Sequence, residues 1–390
     1  MTQQQRVLVV FGTRPEAIKM APVVLALGRS ADIDCKVCVT GQHRQLLDRA
    51  LQDFSITPDF DLNVMREKQD LYDITISILE RIRDVIRELK PDVVLVHGDT
   101  TTAMAAALAA FYQQVPVGHV EAGLRTRDLL SPYPEEANRQ IVGRMAQFHF
   151  APTIGARENL IAEGVQADRI WVTGNTVIDA LLIAKRKVEA IDKQHWQGLF
   201  GDHLHNRLAN KAHRHILVTG HRRESFGQGF ENICVAIREL ATRNPDFQFT
   251  YPVHLNPNVQ EPVNRVLGGL ANVALIKPVE YLPFVWLMGR ADVILTDSGG
   301  IQEEAPALGK KVLVMRDVTE RPEAVAAGTA RLVGTDPNRI ISEIELALGD
   351  GAESADTIRA LNPFGDGRAA LRIADILRNA GGSDLSRKVA

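Results

Sequence analysis

An α/β fold in two domains is predicted by three observations. Short apolar runs alternate with helical periodicity along the whole chain, a pattern that calls for parallel sheets covered by helices on both faces. The chain has 390 residues, and a domain usually takes ~100–200. A polar stretch without strand character, Lys185 to Arg214, separates two such series.

The first series starts with RVLVVF (Arg6 to Phe11) and continues through KVCVT, DVVLVH, VPVGHV, FHFA and RIWVT. Each run is short and bounded by turn residues, as a strand buried on both faces should be. The second series runs through HILVT, FQFTYPV, VALI, DVILT and KVLVM. After it, a turn at NPFGDGR leads into an amphipathic helix with Ala370, Leu371, Ile373, Ala374 and Ile376 available for burial. That helix is expected to cross back onto the first domain. The expected division is therefore 1–174, joined by helix 367–390, and 175–366.

Charge and cysteine content narrow the function. Against 48 acidic residues stand 45 Lys and Arg, a net charge of −3, so the basic footprint of a nucleic-acid binder is missing. No apolar run is long enough for a membrane helix, and MTQQQ runs straight into a strand with no leader pattern. A cytoplasmic protein without membrane or nucleic-acid partners is expected. Cys35 and Cys38 form a C-x-x-C, but within a strand residues three apart point to opposite faces, so neither a shared metal nor a disulfide is expected. The histidines at 195, 203, 205, 213 and 215 lack ligand-like spacing and are read as solvated.

In open α/β sheets ligands bind beyond the carboxyl ends of the strands. In this chain the polar chemistry sits there. Gly12-Thr13-Arg14-Pro15-Glu16 follows the first run; Gly41-Gln42-His43-Arg44, Gly98-Asp99-Thr100 and Glu121-Ala122-Gly123 follow later ones. In the second series Gly220-His221-Arg222-Arg223 and Asp297-Ser298-Gly299-Gly300 occupy the same positions. Ser298 can cap a helix whose glycines let backbone N–H groups and the helix dipole meet an anion, and Glu304 could accept from ribose hydroxyls. Arg14 and Lys19 could neutralise phosphate, or be solvated charges. Asp99 and Glu121 end neighbouring runs and could serve as acid and base; Asp99 could equally start a helix, and Glu121 a turn. Glu135 and Glu136 open a helix whose dipole they would satisfy, with Arg139 one turn from Glu135 as a possible partner. His221, followed by two arginines, suits a diphosphate. No G-x-G-x-x-G, Walker lysine motif, metal-ligand spacing or G-x-S-x-G elbow is present, which disfavours nicotinamide and P-loop chemistry.

Nine segments taken together, FGTRPEAIKMAPV, VHGDTTTA, VGHVEAGLRT, PYPEEANRQ, TGNTVIDAL, TGHRRESFG, PVHLNPNV, DSGGIQEEAP and ERPEAVAAGT, closely resemble the bacterial non-hydrolysing UDP-N-acetylglucosamine 2-epimerases over residues 6 to about 378. The resemblance implies two Rossmann-like domains facing a central cleft, as in GT-B glycosyltransferases. It implies interconversion of UDP-N-acetylglucosamine and UDP-N-acetylmannosamine with no metal and no cofactor. Carried over by motif, catalytic weight falls on Asp99, Glu121, Glu135 and His221. The UDP-sugar would meet Arg14, Lys19, Asp99, Glu121, His221, Ser298, Gly299, Gly300, Glu304 and Arg321, with Phe284 beside the uracil. A second UDP-N-acetylglucosamine, bound as an activator, would meet Gln42, His43, Gln45, Arg222 and His254. Likeness also implies a homodimer and a role in surface polysaccharide synthesis.

The chemistry is coherent with the absences. Carbon 2 of the sugar has no adjoining carbonyl, so its proton is not acidic, and without a nicotinamide the remaining route is elimination of UDP to a 2-acetamidoglucal followed by re-addition. A glycosyltransferase and a UDP-sugar sensor are rival readings, beside a hydrolysing epimerase that would release free N-acetylmannosamine and is disfavoured by the lack of an added kinase-like domain. The first would need an acceptor; the second would have no use for three carboxylates.

Overall fold

A computed structural model of the chain describes residues 4–41, 44–66, 68–349 and 353–381. It divides into two compact units, Met1–Ile183 with Phe364–Ala390, and Ala184–Pro363. Unit 1 contains β1 (Gln5–Phe11), β2 (Ile33–Val39), β3 (Phe60–Asp61), β4 (Val93–His97), β5 (Val117–Val120), β6 (Phe148–Ala151) and β7 (Ile170–Val172). They form one parallel sheet in the order β3-β2-β1-β4-β5-β6-β7.

Burial on both faces explains the unbroken apolar strands. Val7 to Phe11 and Val93 to Val96 are all 0% exposed. The face carrying Leu8, Val10, Val94 and Val96 is covered by Ile78, Ile82 and the alanines of helix Thr101–Tyr112. Small side chains let that helix lie close to the sheet. Gly118 makes room for side chains of the neighbouring strands, since a Cβ there would come within 2.4 Å of Leu95 and 3.3 Å of Phe150.

Unit 2 repeats the plan. Its strands are β8 (Arg214–Thr219), β9 (Phe247–Pro252), β10 (Val273–Ile276), β11 (Val293–Thr296), β12 (Lys311–Val314) and β13 (Ala330–Leu332), parallel in the order β10-β9-β8-β11-β12-β13. In both units the first strand pairs with the second on one side and the fourth on the other. Each sheet therefore has a topological switch point, at β1/β4 and at β8/β11, where loops diverge and leave a crevice. The two-residue β3 and three-residue β13 were not among the runs read from sequence.

Two expectations change. The passage out of unit 1 lies at Ile183–Ala184, inside helix Thr176–Ala190, and not at 174. The reason is that Asp179 accepts from the N–H groups of Ala369 (3.2 Å) and Ala370 (2.9 Å), holding the start of that helix to the returning helix Ala369–Gly381. The polar stretch, in which a surface helix was expected, holds more buried structure than that reading gave it. It folds into helices Lys193–Phe200 and Asp202–Ala209, whose Trp196, Phe200 and His205 rings stack on Trp286 at centroid distances of 5.2, 4.9 and 6.0 Å.

His205 and His215 are consequently buried, against the solvated reading; His215 Nε2 lies 3.0 Å from the Thr250 hydroxyl. Cys38 is buried and Cys35 half-buried, each a free thiol pushed up to about 12 chiefly by burial. No helix among the described residues is long and apolar enough to cross a membrane.

Candidate active site

Unit 1 gathers its polar groups at the ends of β1, β4 and β5. His97 and Val120 pair across β4 and β5, so Asp99 and Glu121 leave neighbouring strands together. Glu121 has φ +64°, a left-handed conformation that costs a non-glycine residue ~1–3 kcal/mol and persists where surroundings over-determine it. Those surroundings are visible. Lys19 Nζ is ion-paired to Glu121 Oε2, Asn175 Nδ2 donates to the same oxygen at 2.8 Å, and His97 Nε2 lies 3.8 Å from Oε1. The imidazole of His97, 4% exposed, is pushed down to about 4 by burial, opposed by Glu121, and is neutral near pH 7.

Asp99 is held differently. Its carboxylate pairs with Arg139, and its backbone carbonyl accepts from Asn138 Nδ2 at 3.0 Å. The preceding Gly98 carbonyl lies 2.7 Å from His119 Nε2. Burial raises the Asp99 carboxyl above its usual value, with Arg139 pulling it back and Glu121 adding to the rise. Asp99 and Glu121 are thus electrostatically aware of one another.

The helix start after β1 is already filled. Glu16, buried, accepts from the N–H groups of Gly12 (3.0 Å) and Thr13 (2.8 Å) on Oε2 and from the Thr100 hydroxyl (2.7 Å) on Oε1. An internal carboxylate occupies the place where a dinucleotide fold would cradle phosphate. Arg14 opens helix Arg14–Leu27 beside it and is half-buried.

Of the two adjacent glutamates, Glu136 is committed to structure. Fully buried, it accepts from Thr126 N–H (3.0 Å), Arg127 N–H (3.2 Å) and Gln140 (2.9 Å), and pairs with Arg139 at 3.2 Å. Its carboxyl stays below the usual value because these hydrogen bonds overcome a larger single cost of burial. Arg139 therefore serves Asp99 and Glu136, not Glu135 as the helical spacing allowed. Glu135 is half-buried at the first position of helix Glu135–Met145.

In unit 2 the switch point is organised by Asp297. One of its oxygens accepts from the N–H groups of His221 (2.6 Å) and Arg222 (2.7 Å), and the other lies 3.5 Å from His221 Nδ1. Burial lowers the His221 imidazole, with Asp297 opposing the shift. His254 stacks on it at 5.4 Å.

Helix Gly299–Ala307 begins beside this pair. Ser298 occupies its N-cap position but makes no capping hydrogen bond through its side chain, a departure from the capping role read from sequence. Its own N–H goes instead to the Thr296 hydroxyl at 3.0 Å. Glu304 accepts from Tyr281 at 3.0 Å, and Phe284 lies one turn along Tyr281's helix. Arg321 is ion-paired to the buried Glu303. Arg316 bridges Glu224 and Glu320, and Arg222 lies 3.7 Å from Glu320.

Unit 1 thus brings Lys19, Asp99 and Glu121 together, and unit 2 brings His221, Arg222 and His254 together. Gln45 is exposed on helix Arg44–Phe54 of unit 1, while Gln42 and His43 lie outside the described residues. Glu16, His97, Asn175, Tyr281 and Asp297 were not assigned roles from the sequence. All but Tyr281 stood in the quoted motifs, and Asp297 directly follows a strand, which was the available signal.

The chain is similar to known proteins over most of its length. A family model described as UDP-N-acetylglucosamine 2-epimerase matches residues 25–378. The UDP-N-acetylglucosamine 2-epimerase of Escherichia coli K12 is 59% identical over 380 residues, 96% of this chain and 98% of that protein. The crystal structure of the Neisseria meningitidis UDP-GlcNAc 2-epimerase bound to UDP-GlcNAc superposes with a TM-score of 0.83 at 50% identity, covering 96% of this chain and all of that one. The S. aureus MnaA structure with UDP gives a TM-score of 0.84 at 42% identity over 97% of each chain.

Proposed function

The chain belongs to the UDP-N-acetylglucosamine 2-epimerase family, and from that premise we propose that it interconverts UDP-N-acetylglucosamine and UDP-N-acetylmannosamine by elimination and re-addition of UDP, without hydrolysis. A base removes the proton from sugar carbon 2, the C–H electron pair becomes the C1=C2 bond, and the C1–O bond breaks with its pair leaving on UDP. Protonation of carbon 2 from the opposite face and attack of UDP on carbon 1 complete the inversion.

The observation that carries this reading is Glu121, a buried carboxylate held in a left-handed backbone conformation by Lys19 and Asn175, with Asp99 leaving the neighbouring strand. Inversion needs proton donors and acceptors on two faces of the sugar, hence more than one carboxylate. Asp99, Glu121 and Glu135 take that traffic. Proton chemistry belongs to unit 1 and diphosphate chemistry to unit 2, where His221, oriented by Asp297, and the Ser298-Gly299-Gly300 helix start receive the charge that grows on departing UDP. Arg14, Lys19 and Arg321 add positive charge, Glu304 takes the ribose, and Phe284 takes the uracil. The same reading makes the enzyme a cytoplasmic homodimer serving surface polysaccharide synthesis. A second UDP-N-acetylglucosamine would act as activator near Arg222 and His254.

Incubation with UDP-N-acetylglucosamine in deuterated water, followed by proton NMR, tests the mechanism. The expected product is a manno-configured UDP-sugar carrying deuterium at carbon 2, formed with no cofactor added. Retention of the original hydrogen at the inverted carbon overturns elimination.

A further inference from the structure

Asn175 makes hydrogen bonds through both ends of its amide and through its backbone. It is 2% exposed. Its Nδ2 donates to Glu121 Oε2 at 2.8 Å, its Oδ1 accepts from Val177 N–H at 3.0 Å, and its own N–H donates to the Phe364 carbonyl at 2.8 Å. The bond to Val177 is an ordinary capping turn at the start of helix Thr176–Ala190. The bond to Glu121 serves no such local need.

The Phe364 contact fixes where this amide stands. Gly174, with φ +87°, lies against Phe364 and Gly365 so closely that a Cβ would come within 3.3 Å of the Phe364 carbonyl. Arg372 donates to the Thr173 carbonyl at 2.9 Å, and Asp179 accepts from Ala369 and Ala370. The segment on which the chain leaves unit 1 is therefore bonded, residue by residue, to the segment on which it returns. From this junction the side chain of Asn175 reaches the strand-end carboxylate of Glu121.

We infer that Asn175 is a positioning residue for Glu121, whose amide fixes the reacting carboxylate and keys it to the return of the chain at Phe364. The inference rests on the proposed role of Glu121 in proton transfer. A neutral N–H donor aimed at a carboxylate favours its ionised form and fixes its rotation. Among the described residues, Lys19, His97 and Asp99 are charged or titratable groups that also face Glu121.

Two variants of the full chain separate this role from helix capping. Asn175→Asp keeps an oxygen to receive Val177 N–H but replaces the donor facing Glu121 by a second negative charge. Asn175→Ser keeps a capping oxygen and removes the donor without adding charge. Losing a charge-assisted hydrogen bond should lower kcat about tenfold for Asn175→Ser, and added repulsion about a hundredfold for Asn175→Asp, with KM and UDP affinity within about threefold. The acidic limb of the kcat/KM profile should move to higher pH in both, further for Asn175→Asp.

A folded Asn175→Asp protein with kcat within about twofold of the parent and an unmoved acidic limb would reduce Asn175 to a cap and overturn the proposal. Should Asn175→Asp fail to fold, the same two readings on Asn175→Ser decide. Failure of both to fold would also overturn it. Deuterium incorporation by the parent enzyme is measured alongside: if the parent forms the epimer without taking up deuterium, the reading of Glu121 fails first, and a normal parent beside a normal variant isolates the failure to Asn175.

Discussion

At the scale of single residues, the contrast between Glu121 and Glu136 shows what burial alone does not decide. Both are almost fully buried. Glu136 spends its oxygens on backbone N–H groups of one loop, the pattern of a structural anchor, whereas Glu121 meets Lys19 and Asn175 at the end of a strand in a strained backbone. Helical spacing put Glu135 and Glu136 on equal terms, and only the fold of residues 126–127 over the second glutamate separates them. Asp297 was equally hard to rank. Its DSGG neighbours drew notice for their backbone, but its work is to fix His221, a partner far away in sequence. A prediction follows for Glu121→Gln. The amide keeps the shape and removes the proton acceptor, leaving the Lys19 ammonium without its counter-charge. Turnover should fall by at least ~10²-fold. Calorimetric UDP affinity should not fall by more than about threefold, since the Glu121 carboxylate itself is assigned no contact with the diphosphate. Near-normal turnover would remove Glu121 from the mechanism.

At the scale of elements, the strands were the most legible part of the chain. Eleven apolar runs read from sequence are strands; β3 and β13 escaped because two and three residues are too few to show a period. The stretch Lys185 to Arg214 reads as a passage with a surface helix, and its buried face escaped for a different reason. Its two short helices each bury one narrow face on Trp286, so a mostly polar composition conceals Trp196, Leu204 and His205. Strands also carry His97, His119, His149 and His215, all no more than 4% exposed and pushed down, chiefly by burial, to about 4, 3, 4 and 3. Their folded values lie below the ordinary 6.5. As pH falls below 6.5 the unfolded chain therefore takes up protons that the folded chain refuses, and stability present at neutral pH is lost toward pH 4. The loss should be on the order of 1–2 kcal/mol per histidine between about pH 6.5 and 5. Urea midpoints measured across this range should drop steeply, and replacing His215 by an uncharged residue such as Gln should flatten the slope. An unchanged slope would show that His215 is not excluded from protonation in the folded protein.

At the scale of the whole molecule, the same strand order occurs twice, and each sheet has its own core. The large cluster of unit 2 is built from residues between Ile216 and Ala347, whereas that of unit 1 centres on Leu8, Val10, Val94 and Val96. Among the described residues, the element that breaks sequence order is helix Ala369–Gly381, which returns to unit 1 and buries Ala369, Ala370, Ile373 and Leu377. Its amphipathic pattern announced that it needed a host, and the bonds to Asp179 and Thr173 identify the host. This placement makes unit 1 dependent on residues that come after the whole of unit 2 in the chain. Ile373 is 0% exposed, so Ile373→Asp should cost unit 1 at least about 3 kcal/mol by removing apolar burial and forcing a carboxyl into its place. The chain carries its own reporters, because Trp171 lies in unit 1 and Trp196 and Trp286 in unit 2. In a Trp196→Phe/Trp286→Phe background, adding Ile373→Asp should move the Trp171 fluorescence transition to lower urea. In a Trp171→Phe background it should leave the transition of the other two tryptophans in place. If both transitions moved together by the same amount, the two cores would be unfolding as one cooperative body, and the returning helix would be stabilising the entire chain and not unit 1 alone.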